Sequence, residues 1–206
     1  MMVKREKSAQ EIFWEGEFGS GYTERNQVLV KQRVGYFASI LSKTYGVQRV
    51  CELGANKGHN LQAIAQLSPQ YQLTGVEINP TAYEILETAP EIEAVHSAIL
   101  DFQPQDTFDL VFTCGVLIHL NPDDLPQIYD KMFNLSARYI LINEYHNPVP
   151  QQIDYRGHAE RLFKRDFAGE LMDSHPGKLS VVDMGFLWKR TCPSWDDTTW
   201  FLLEKI

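Results

Sequence analysis

An acidic side chain and a run of turn-forming residues lie side by side in RVCELGANKGHNLQAIAQL, residues 49–67. Glu52 ends a short apolar run, and Gly54, Asn56 and Gly58 follow before an amphipathic pattern begins. Glycine lets the backbone adopt left-handed conformations and pass close to a bound molecule. The stretch therefore predicts a ligand-binding turn between a strand and a helix. A plain turn with helix-capping residues has the same composition and is the alternative.

Glu77 ends the next apolar run, LTGVE, about 20 residues beyond that turn, where an acidic side chain accepts hydrogen bonds from a ribose 2′-hydroxyl. The same charge repels a phosphate. The turn has neither the Gly-x-Gly-x-x-Gly of a dinucleotide site nor a Gly-Lys-Ser/Thr phosphate loop. An adenosine ligand without phosphates agrees with the acidic strand end and with the lack of a phosphate-binding motif, so the predicted cofactor is S-adenosylmethionine. The alternative for Glu77 is an exposed carboxylate at a strand end.

Two further strand ends carry candidate site residues. VHSAILD, residues 95–101, is expected to meet the adenine through the backbone of Ala98 and Ile99, because Ala98 stands where an Asp often binds the adenine amino group. FDLVFTCGVLIHL contains Cys114, which is expected to pack in the cofactor site rather than act as a nucleophile. His119 could orient or deprotonate an acceptor, since imidazole titrates near neutrality. Capping of the following segment is an equal alternative.

Strands and helices alternate along most of the chain, which predicts an α/β fold with a parallel sheet and helices on both faces. The last two strands follow each other without a helix, so an antiparallel hairpin is expected at one end of the sheet. No linker or repeat interrupts the pattern, and one domain is expected over residues 1–206, with an N-terminal helical lid at 1–46 and a core at 47–206. The predicted strands are 48–53, 71–77, 92–96, 108–113, 138–144, 179–188 and 198–204, and helices are expected near 8–15, 30–41, 60–67, 80–88, 123–135 and 166–174. A glycine-rich loop, GEFGSGYTERN, is expected at 16–26 between the first two helices.

The segment 146–165 fits no predicted strand or helix, and long loops of this kind are typical of lids or binding loops. Its stretch DYRGHAERLFKRDF concentrates positive charge in a chain of net charge -8, which predicts an acceptor loop for an anionic acceptor. Arg156 and His158 flank a turn at Gly157 and are expected to face inward. A solvated helix face is the alternative for the cations that follow. The expected pocket residues are His119, Glu144 and His158 as catalytic candidates and Tyr145, Asn147, Tyr155, Arg156 and Arg161 as acceptor contacts.

Composition excludes several functional classes. The negative net charge argues against binding a nucleic acid, because that affinity depends on Lys and Arg neutralising phosphates. No apolar run approaches the roughly 18 residues of a membrane span, and the charged start MMVKREKSAQEIF lacks the apolar core of a signal peptide, so a cytoplasmic location is expected. Cys51, Cys114 and Cys192 are far apart, which predicts reduced thiols and no metal site.

With these motifs in place, the chain resembles a class I S-adenosylmethionine-dependent methyltransferase. It is most similar to the methylases associated with pseudaminic acid biosynthesis, through FWEGEFGSGYTERN, ELGANKGHNL, GVEINP, DYRGHAERLFKRDFAGELMD and DDTTWFLLEK. The resemblance implies a Rossmann-like class I fold with a seven-stranded, mostly parallel sheet. It implies cofactor contacts from Glu52, Gly54, Asn56, Gly58, Asn60 and Glu77, and a lid that closes the site with Trp14, Phe18, Tyr22, Arg25 and Asn26.

The leading hypothesis is therefore a methyltransferase that acts on O or N of a small, anionic acceptor of the sugar-acid or nucleotide-sugar type, or on another specialised metabolite. A non-catalytic module that binds S-adenosylmethionine is the alternative, and a nicotinamide-dependent oxidoreductase is disfavoured by the glycine spacing. The expected partners are small molecules only, with a monomer or a homodimer as the oligomeric state. EYHNPVP and LWKRTCPSWDD depart from the subgroup pattern and leave the acceptor open.

Overall fold

The computed structural model describes residues 5–206 and contains seven α-helices and nine strands in that range. Two short 3₁₀ turns, Leu117–His119 and Pro122–Asp124, follow the fourth strand. The helices are α1 Ala9–Glu15, α2 Glu17–Arg25, α3 Lys31–Leu41, α4 His59–Ala65, α5 Pro80–Leu86, α6 Leu125–Leu135 and α7 Phe167–Ser174. The strands are β1 Arg49–Leu53, β2 Gln72–Glu77, β3 Ile92–His96, β4 Phe108–Cys114, β5 Ser136–Glu144, β6 Gln151–Tyr155, β7 His158–Lys164, β8 Leu179–Leu187 and β9 Thr198–Lys205.

Seven strands form the main sheet in the order β3-β2-β1-β4-β5-β9-β8. The first five are parallel, and β9 runs antiparallel to both β5 and β8. The chain winds outward from β1 to β3 and then returns to place β4 on the other side of β1. This switch in strand order opens a crevice at the carboxyl ends of β1 and β4, which is where open α/β sheets bind ligands. The predicted fold class is confirmed.

Apolar side chains fill both faces of this sheet. On one face, α6 and α7 contribute fully buried residues such as Met132 and Leu171. On the other face, α3 and α4 contribute Phe37, Ile40 and Leu61. Burial of such side chains contributes about 1.5–3 kcal/mol each. The two layers hold the strand ends rigidly, so that the loops at the crevice are built on a fixed platform.

The segment after α1 is helical, whereas the sequence predicts a glycine-rich loop there. The N–H of Gly16 ends α1 by donating to Ile12 O, and α2 then begins at Glu17. Gly19 lies so close to the carbonyl of Trp14 and to the amide of Asn79 that a Cβ atom would clash with both. Close packing therefore selects glycine here, and its low helix propensity is overridden by tertiary contacts. The first four residues of the predicted lid lie outside the described residues.

The segment 146–165 also has regular secondary structure, so its prediction as an irregular loop is wrong. β6 and β7 form an antiparallel hairpin in which Tyr155 pairs with His158. The two residues between them, Arg156 and Gly157, have φ angles of 51° and 84°. Two successive positive φ angles give the turn a twist that suits a two-residue hairpin. The cations of this segment therefore alternate along a strand and do not share a helix face.

Candidate cofactor and acceptor site

A cleft opens at the carboxyl ends of β1, β2 and β4 and is covered by α1 and α2. It combines backbone from the turns after these strands with polar side chains from α3 and α4. The predicted site residues that line it are Trp14, Tyr22, Asn26, Glu52, Gly54, Asn56, Asn60, Glu77, Ala98, Ile99, Cys114 and His119.

The turn after β1 approaches the β4 side of the cleft closely. Gly54 has a φ of +78°, and a Cβ atom on it would lie 2.6 Å from Cγ2 of Val116. Its N–H donates to Val76 O at 2.8 Å, which ties the turn to β2. Gly58, with a φ of +77°, is not in the cleft lining; a Cβ there would lie 2.5 Å from Cδ1 of Leu86. Gly54 thus shapes the cleft, while Gly58 lets α4 begin against α5.

Glu77 holds the turn and the β2 end together. Its side chain is 7% exposed, and its carboxylate accepts hydrogen bonds from the backbone N–H groups of Asn56 and Asn79, both at 2.7 Å. Burial raises the pKa of Glu77, although these N–H groups oppose the shift. A carboxylate has about four acceptor positions, so its backbone contacts leave capacity for a ligand hydroxyl. Glu77 can therefore bind a ribose while it fixes the turn.

A chain of polar side chains leads from β1 to α3. Asn60 Nδ2 donates to Oε1 of Glu52 at 2.5 Å, and Asn60 Oδ1 accepts from Arg33. Arg33 also donates to Ser194 O at 2.9 Å and stacks on Trp195, with Cζ 4.0 Å from the ring centroid. Burial raises the pKa of Glu52 to about 8 and lowers the pKa of Arg33. Oε2 of Glu52 is buried without a partner among the described residues, so it is free to receive a ligand group.

The adenine side of the cleft is formed mainly by backbone after β3. Ser97 N–H donates to Glu77 O at 3.0 Å, which places Ala98 and Ile99 beside the β2 end. Both residues line the cleft and are nearly buried. Burial raises the pKa of Cys114 well above its usual range, so its thiol stays protonated. Cys114 therefore contributes packing, and its role as a nucleophile is disfavoured.

His119 lies in the wall of the cleft with a defined tautomer. Its Nδ1 is 2.7 Å from the backbone oxygen of Arg161, and because that oxygen only accepts, Nδ1 carries the proton. Burial lowers the pKa of His119 to about 4, so the ring is neutral near pH 7. Nε2 then holds a lone pair and has no hydrogen-bond partner within residues 5–206. This atom can accept a proton from a group bound in the cleft.

Glu144 is a candidate catalytic residue that the structure does not bring to the cleft. It is 1% exposed, and its carboxylate accepts from the backbone N–H groups of Val116, Leu117 and Ile118 at 3.0, 3.2 and 3.5 Å. Burial raises its pKa to about 7 against the effect of these bonds. The prediction that Glu144 is a catalytic residue is therefore corrected. Its carboxylate anchors the 3₁₀ turn that carries His119.

Aromatic rings from three elements meet above His119. The Trp14 ring centroid lies 4.5 Å from that of His119, and the Tyr155 centroid lies 4.9 Å from it. Phe18 packs against Trp14 at 5.4 Å and against Tyr155 at 5.9 Å. His158 is exposed and packs on Phe18 at 5.3 Å, away from the cleft lining. The rings form an apolar wall, and His158 supports it from outside, where it has no contact with the cleft.

The cations of the β6–β7 hairpin have different surroundings. Arg156 is exposed at the tip, 5.8 Å from the Tyr155 ring. Burial raises the pKa of Tyr22 in the cleft to about 12, and the charge of Arg156 opposes that shift. Arg161 lies 4.9 Å from the Phe13 ring and donates to a neighbouring carbonyl. Arg165 is paired with Glu170 at 2.8 Å. Arg156 is therefore the hairpin arginine with the most freedom to meet an acceptor.

The remaining predicted acceptor contacts lie around the rim. Tyr22 and Asn26 line the cleft, whereas Arg25 is exposed near the Phe18 ring. Tyr145 lies near Asp196 of the β8–β9 connection, and burial, reinforced by that carboxylate, raises the pKa of Tyr145. Asn147 is turned toward its own loop, where its amide donates to Val149 O. Tyr145 can thus border an acceptor pocket, while Arg25 and Asn147 stand outside it.

The comparison with known proteins bears on the activity of this cleft. Residues 50–138 match the model of a methyltransferase domain, and this segment carries the β1 turn, Glu77 and His119. With this match over 89 of the 206 residues, the chain is a methyltransferase. Its cofactor is S-adenosylmethionine. The unpartnered carboxylate oxygen of Glu52, the close backbone turn at Gly54 and the acidic end of β2 fit the cationic amino-acid part and the ribose of that molecule.

Solved structures share the fold of this methyltransferase at low sequence identity. The 1,6-didemethyltoxoflavin-N1-methyltransferase of Burkholderia thailandensis, with its substrate and S-adenosylhomocysteine bound, is 15% identical with a TM-score of 0.73 over 98% of this chain and 93% of that one. A methyltransferase of Leishmania major is 15% identical, with a TM-score of 0.69 over 96% and 87%. A glycopeptide N-methyltransferase with S-adenosylhomocysteine bound is 14% identical, with a TM-score of 0.65 over 85% and 90%. No curated protein sequence matches.

Arg33 and Asn79 are site residues of the methyltransferase that the sequence does not reveal. Arg33 lies on a helix well before the β1 turn, and only the fold brings it to Asn60. Asn79 caps α5 through Ala82 N–H, and its amide donates to Trp14 O at 3.0 Å. GVEINP contains an Asn-Pro pair, which is typical of a helix N-terminus and could have indicated that Asn79 caps α5. The contact with α1 depends on tertiary structure.

Two further findings concern residues 5–206 of the methyltransferase. None of the helices in this range is both long enough and apolar enough to cross a membrane. In the same range, no group of three or more His, Cys, Asp or Glu side chains has the spacing to hold a metal ion.

Proposed function

We propose that the enzyme transfers a methyl group to an oxygen or nitrogen atom of a small, anionic acceptor that binds between α1, the Leu117–His119 turn and the β6–β7 hairpin. The observation that carries the proposal is the unpartnered Nε2 of His119, a neutral base in the wall of the cofactor cleft. The Trp14 and Tyr155 rings pack against the His119 ring, which favours an acceptor of small size.

Different residues of the chain have different roles in this reaction. S-adenosylmethionine supplies an electrophilic methyl group when it is bound. Glu77 and the Gly54 turn hold the ribose side of the cleft, and Glu52 offers a carboxylate oxygen to a cationic group. His119 takes the proton that the acceptor loses, and the aromatic wall excludes water. Fixing the two reactants in line can contribute about 7–11 kcal/mol to lowering the barrier.

Arg156 supports the anionic nature of the acceptor. It has no ion-pair partner in the part of the chain that the structure describes, and its charge acts on Tyr22 inside the cleft. An arginine fork binds a carboxylate or phosphate through two parallel hydrogen bonds. A sugar acid of the kind suggested by the resemblance to pseudaminic acid-associated methylases carries such a group. That subgroup, the cytoplasmic location and the choice between monomer and homodimer remain predictions.

The Burkholderia thailandensis enzyme was crystallised with 1,6-didemethyltoxoflavin and S-adenosylhomocysteine bound, which agrees with a small-molecule acceptor for the present chain. The alternative, a non-catalytic module that binds S-adenosylmethionine, requires no base at the cofactor. The neutral His119 with its fixed tautomer favours the enzyme.

The test uses purified protein, S-adenosylmethionine with an isotopically labelled methyl group and a small-molecule extract of the source cells. We expect a labelled product by mass spectrometry and its loss, by at least about a hundredfold in rate, in the His119→Gln variant. His146→Gln is the control, since His146 lies outside the cleft lining. Binding of S-adenosylhomocysteine without any labelled product would leave the non-catalytic module as the better description.

The anionic acceptor is tested on the product found in that experiment. Turnover of the charged acceptor is compared with turnover of its neutral methyl ester, in the wild type and in Arg156→Ala. We expect the ester and the variant each to raise KM, while Arg190→Ala, on an exposed arginine beside Trp188, has no effect. Equal KM values for acid and ester would show that the hairpin does not bind an anion.

A further inference from the structure

Two adjacent rings in the cleft each carry a polar atom that has no hydrogen-bond partner among the described residues. The indole nitrogen of Trp14 is buried and has no hydrogen-bond partner among residues 5–206. The ring centroids of Trp14 and His119 are 4.5 Å apart, and both residues line the cleft. The indole N–H can only donate, and Nε2 of His119 can only accept, given the Nδ1 contact with Arg161 O. An acceptor that enters between these rings can therefore meet one donor and one acceptor.

Such a pair distinguishes a hydroxyl group from an amine. A hydroxyl has one hydrogen and two lone pairs, so it can donate to His119, accept from Trp14 and still have a lone pair for the methyl group. A neutral amine nitrogen has one lone pair. If that pair attacks the methyl group, nothing on the nitrogen can accept from the indole, and the N–H of Trp14 stays buried and unpaired. With a hydroxyl, this donor gains a partner, and the free energy of that hydrogen bond corresponds to a rate advantage of about tenfold over an amine.

We propose that Trp14 and His119 together select a hydroxyl group, so that this enzyme is an O-methyltransferase. This inference rests on the proposed function and decides between the oxygen and nitrogen left open there. In the step, the acceptor oxygen forms a bond to the methyl carbon, and the carbon–sulfur bond breaks with its electron pair remaining on sulfur. The O–H bond breaks as its proton moves to Nε2 of His119. The indole N–H stabilises the negative charge that develops on the oxygen.

The position of Trp14 is well defined for this role. Its backbone oxygen accepts from the amide of Asn79 at 3.0 Å, which fixes the end of α1 to the cap of α5. Its ring packs edge-on against Phe18 and Tyr22, both at 5.4 Å. These contacts restrict rotation of the indole, so its ring stays beside the His119 ring when an acceptor enters.

The labelled-methyl experiment with the cell extract gives the first test. The carbon shift of a ¹³C-labelled methyl group in the product distinguishes a methyl ether or ester from an N-methyl group. An O-methyl product is expected. An N-methyl product would overturn the choice of oxygen while leaving the proposed function intact. Absence of any labelled product would instead contradict the proposed function and remove the basis of this inference with it.

The second test reads the indole directly and does not depend on turnover. Three anionic probes are titrated into the ¹⁵N-labelled protein with S-adenosylhomocysteine: 4-hydroxybenzoate, 4-aminobenzoate and benzoate. We expect the Trp14 Nε1–H cross-peak to move downfield with the hydroxyl probe and to stay in place with the other two. Its assignment comes from the spectrum of Trp14→Phe. Equal movement with all three probes, or none with 4-hydroxybenzoate, would overturn the proposal.

The variant also serves as a kinetic test. Trp14→Phe retains an aromatic ring and removes the donor, so kcat for the acceptor found in the extract should fall about tenfold. Affinity for S-adenosylhomocysteine should change less than twofold, which separates the effect from misfolding. Trp188→Phe, on a tryptophan that is 48% exposed, is the control and should leave kcat unchanged. Full activity of Trp14→Phe would show that the indole N–H is not used.

Discussion

Replacing Glu52 with Gln tests whether the buried carboxylate binds the cationic part of the cofactor. Burial raises the pKa of Glu52 to about 8, and Oε2 has no partner among the described residues. Near pH 7 the group is then about nine-tenths protonated, and ionising it costs ~1.4 kcal/mol for each pH unit below the pKa. Because a cation binds the ionised form, cofactor binding should release a proton.

The expected result follows from the sign of this shift. A carboxyl group with a raised pKa must lose its proton before it can pair with a cation, so wild-type affinity should rise with pH from about 6 to 8, by close to tenfold per unit. Above that range the α-amino group of the ligand itself loses its charge, at a pKa of about 7.7–8.0, and affinity should fall again. The Glu52→Gln variant should lack the rising limb and keep the falling one.

Isothermal calorimetry provides the measurement. Titrations at several pH values give the affinity, and repetition in two buffers of different ionisation enthalpy gives the number of protons released. Glu91→Gln is the control, because Glu91 is exposed at the start of β3 and far from the turn. Wild-type affinity that is flat between about pH 6 and 8, or an equal slope in Glu52→Gln, would refute the reasoning that Glu52 is the group that ionises.

Three other predictions address the turn, the lid and the anchor of His119. Gly54→Ala should weaken cofactor binding more than tenfold, because its Cβ would lie 2.6 Å from Cγ2 of Val116. The control is Gly177→Ala, which has a similar positive φ but open space around it, so it should lower the unfolding free energy by only about 1–2 kcal/mol and leave binding unchanged. Equal cofactor binding by both variants would count against the close approach at Gly54. Residues 14–26 should show slower amide hydrogen exchange with S-adenosylhomocysteine if they act as a lid, whereas unchanged protection would favour a permanently packed segment. Glu144→Ala should lower the unfolding free energy by about 2–4 kcal/mol, since it leaves the N–H groups of the His119 turn unpaired, and a change in rate without a change in thermal stability would restore a catalytic role.

The sheet could be predicted from the sequence because its signals are local. Apolar runs that alternate with amphipathic helices give the positions of all seven strands of the main sheet to within a few residues. The β1 turn and Glu77 were placed correctly at one edge for the same reason, since strand ends of a parallel sheet meet there. Contacts between segments that are far apart in the sequence produce no local pattern, so they could not be predicted in this way.

The errors show where local patterns fail. The glycines of α2 indicate a loop by propensity, but close packing of Gly19 on Trp14 and Asn79 selects a helix. Glu77 and Glu144 both end buried strands and look alike in the sequence. Glu77 borders the cleft, whereas the carboxylate of Glu144 accepts hydrogen bonds from the N–H groups of the His119 turn. This difference depends on backbone atoms that are distant in the sequence.

The partner of His119 Nδ1 is a main-chain oxygen, and this has a consequence for how such enzymes can diverge. Every amino acid at position 161 supplies the same carbonyl, so the proton on Nδ1 is maintained whichever side chain stands there. The side chain of Arg161 is then free to change with the acceptor while the base keeps its tautomer. Two enzymes could share this device without one identical residue on the strand that provides it, and an alignment of their sequences would leave no trace of it.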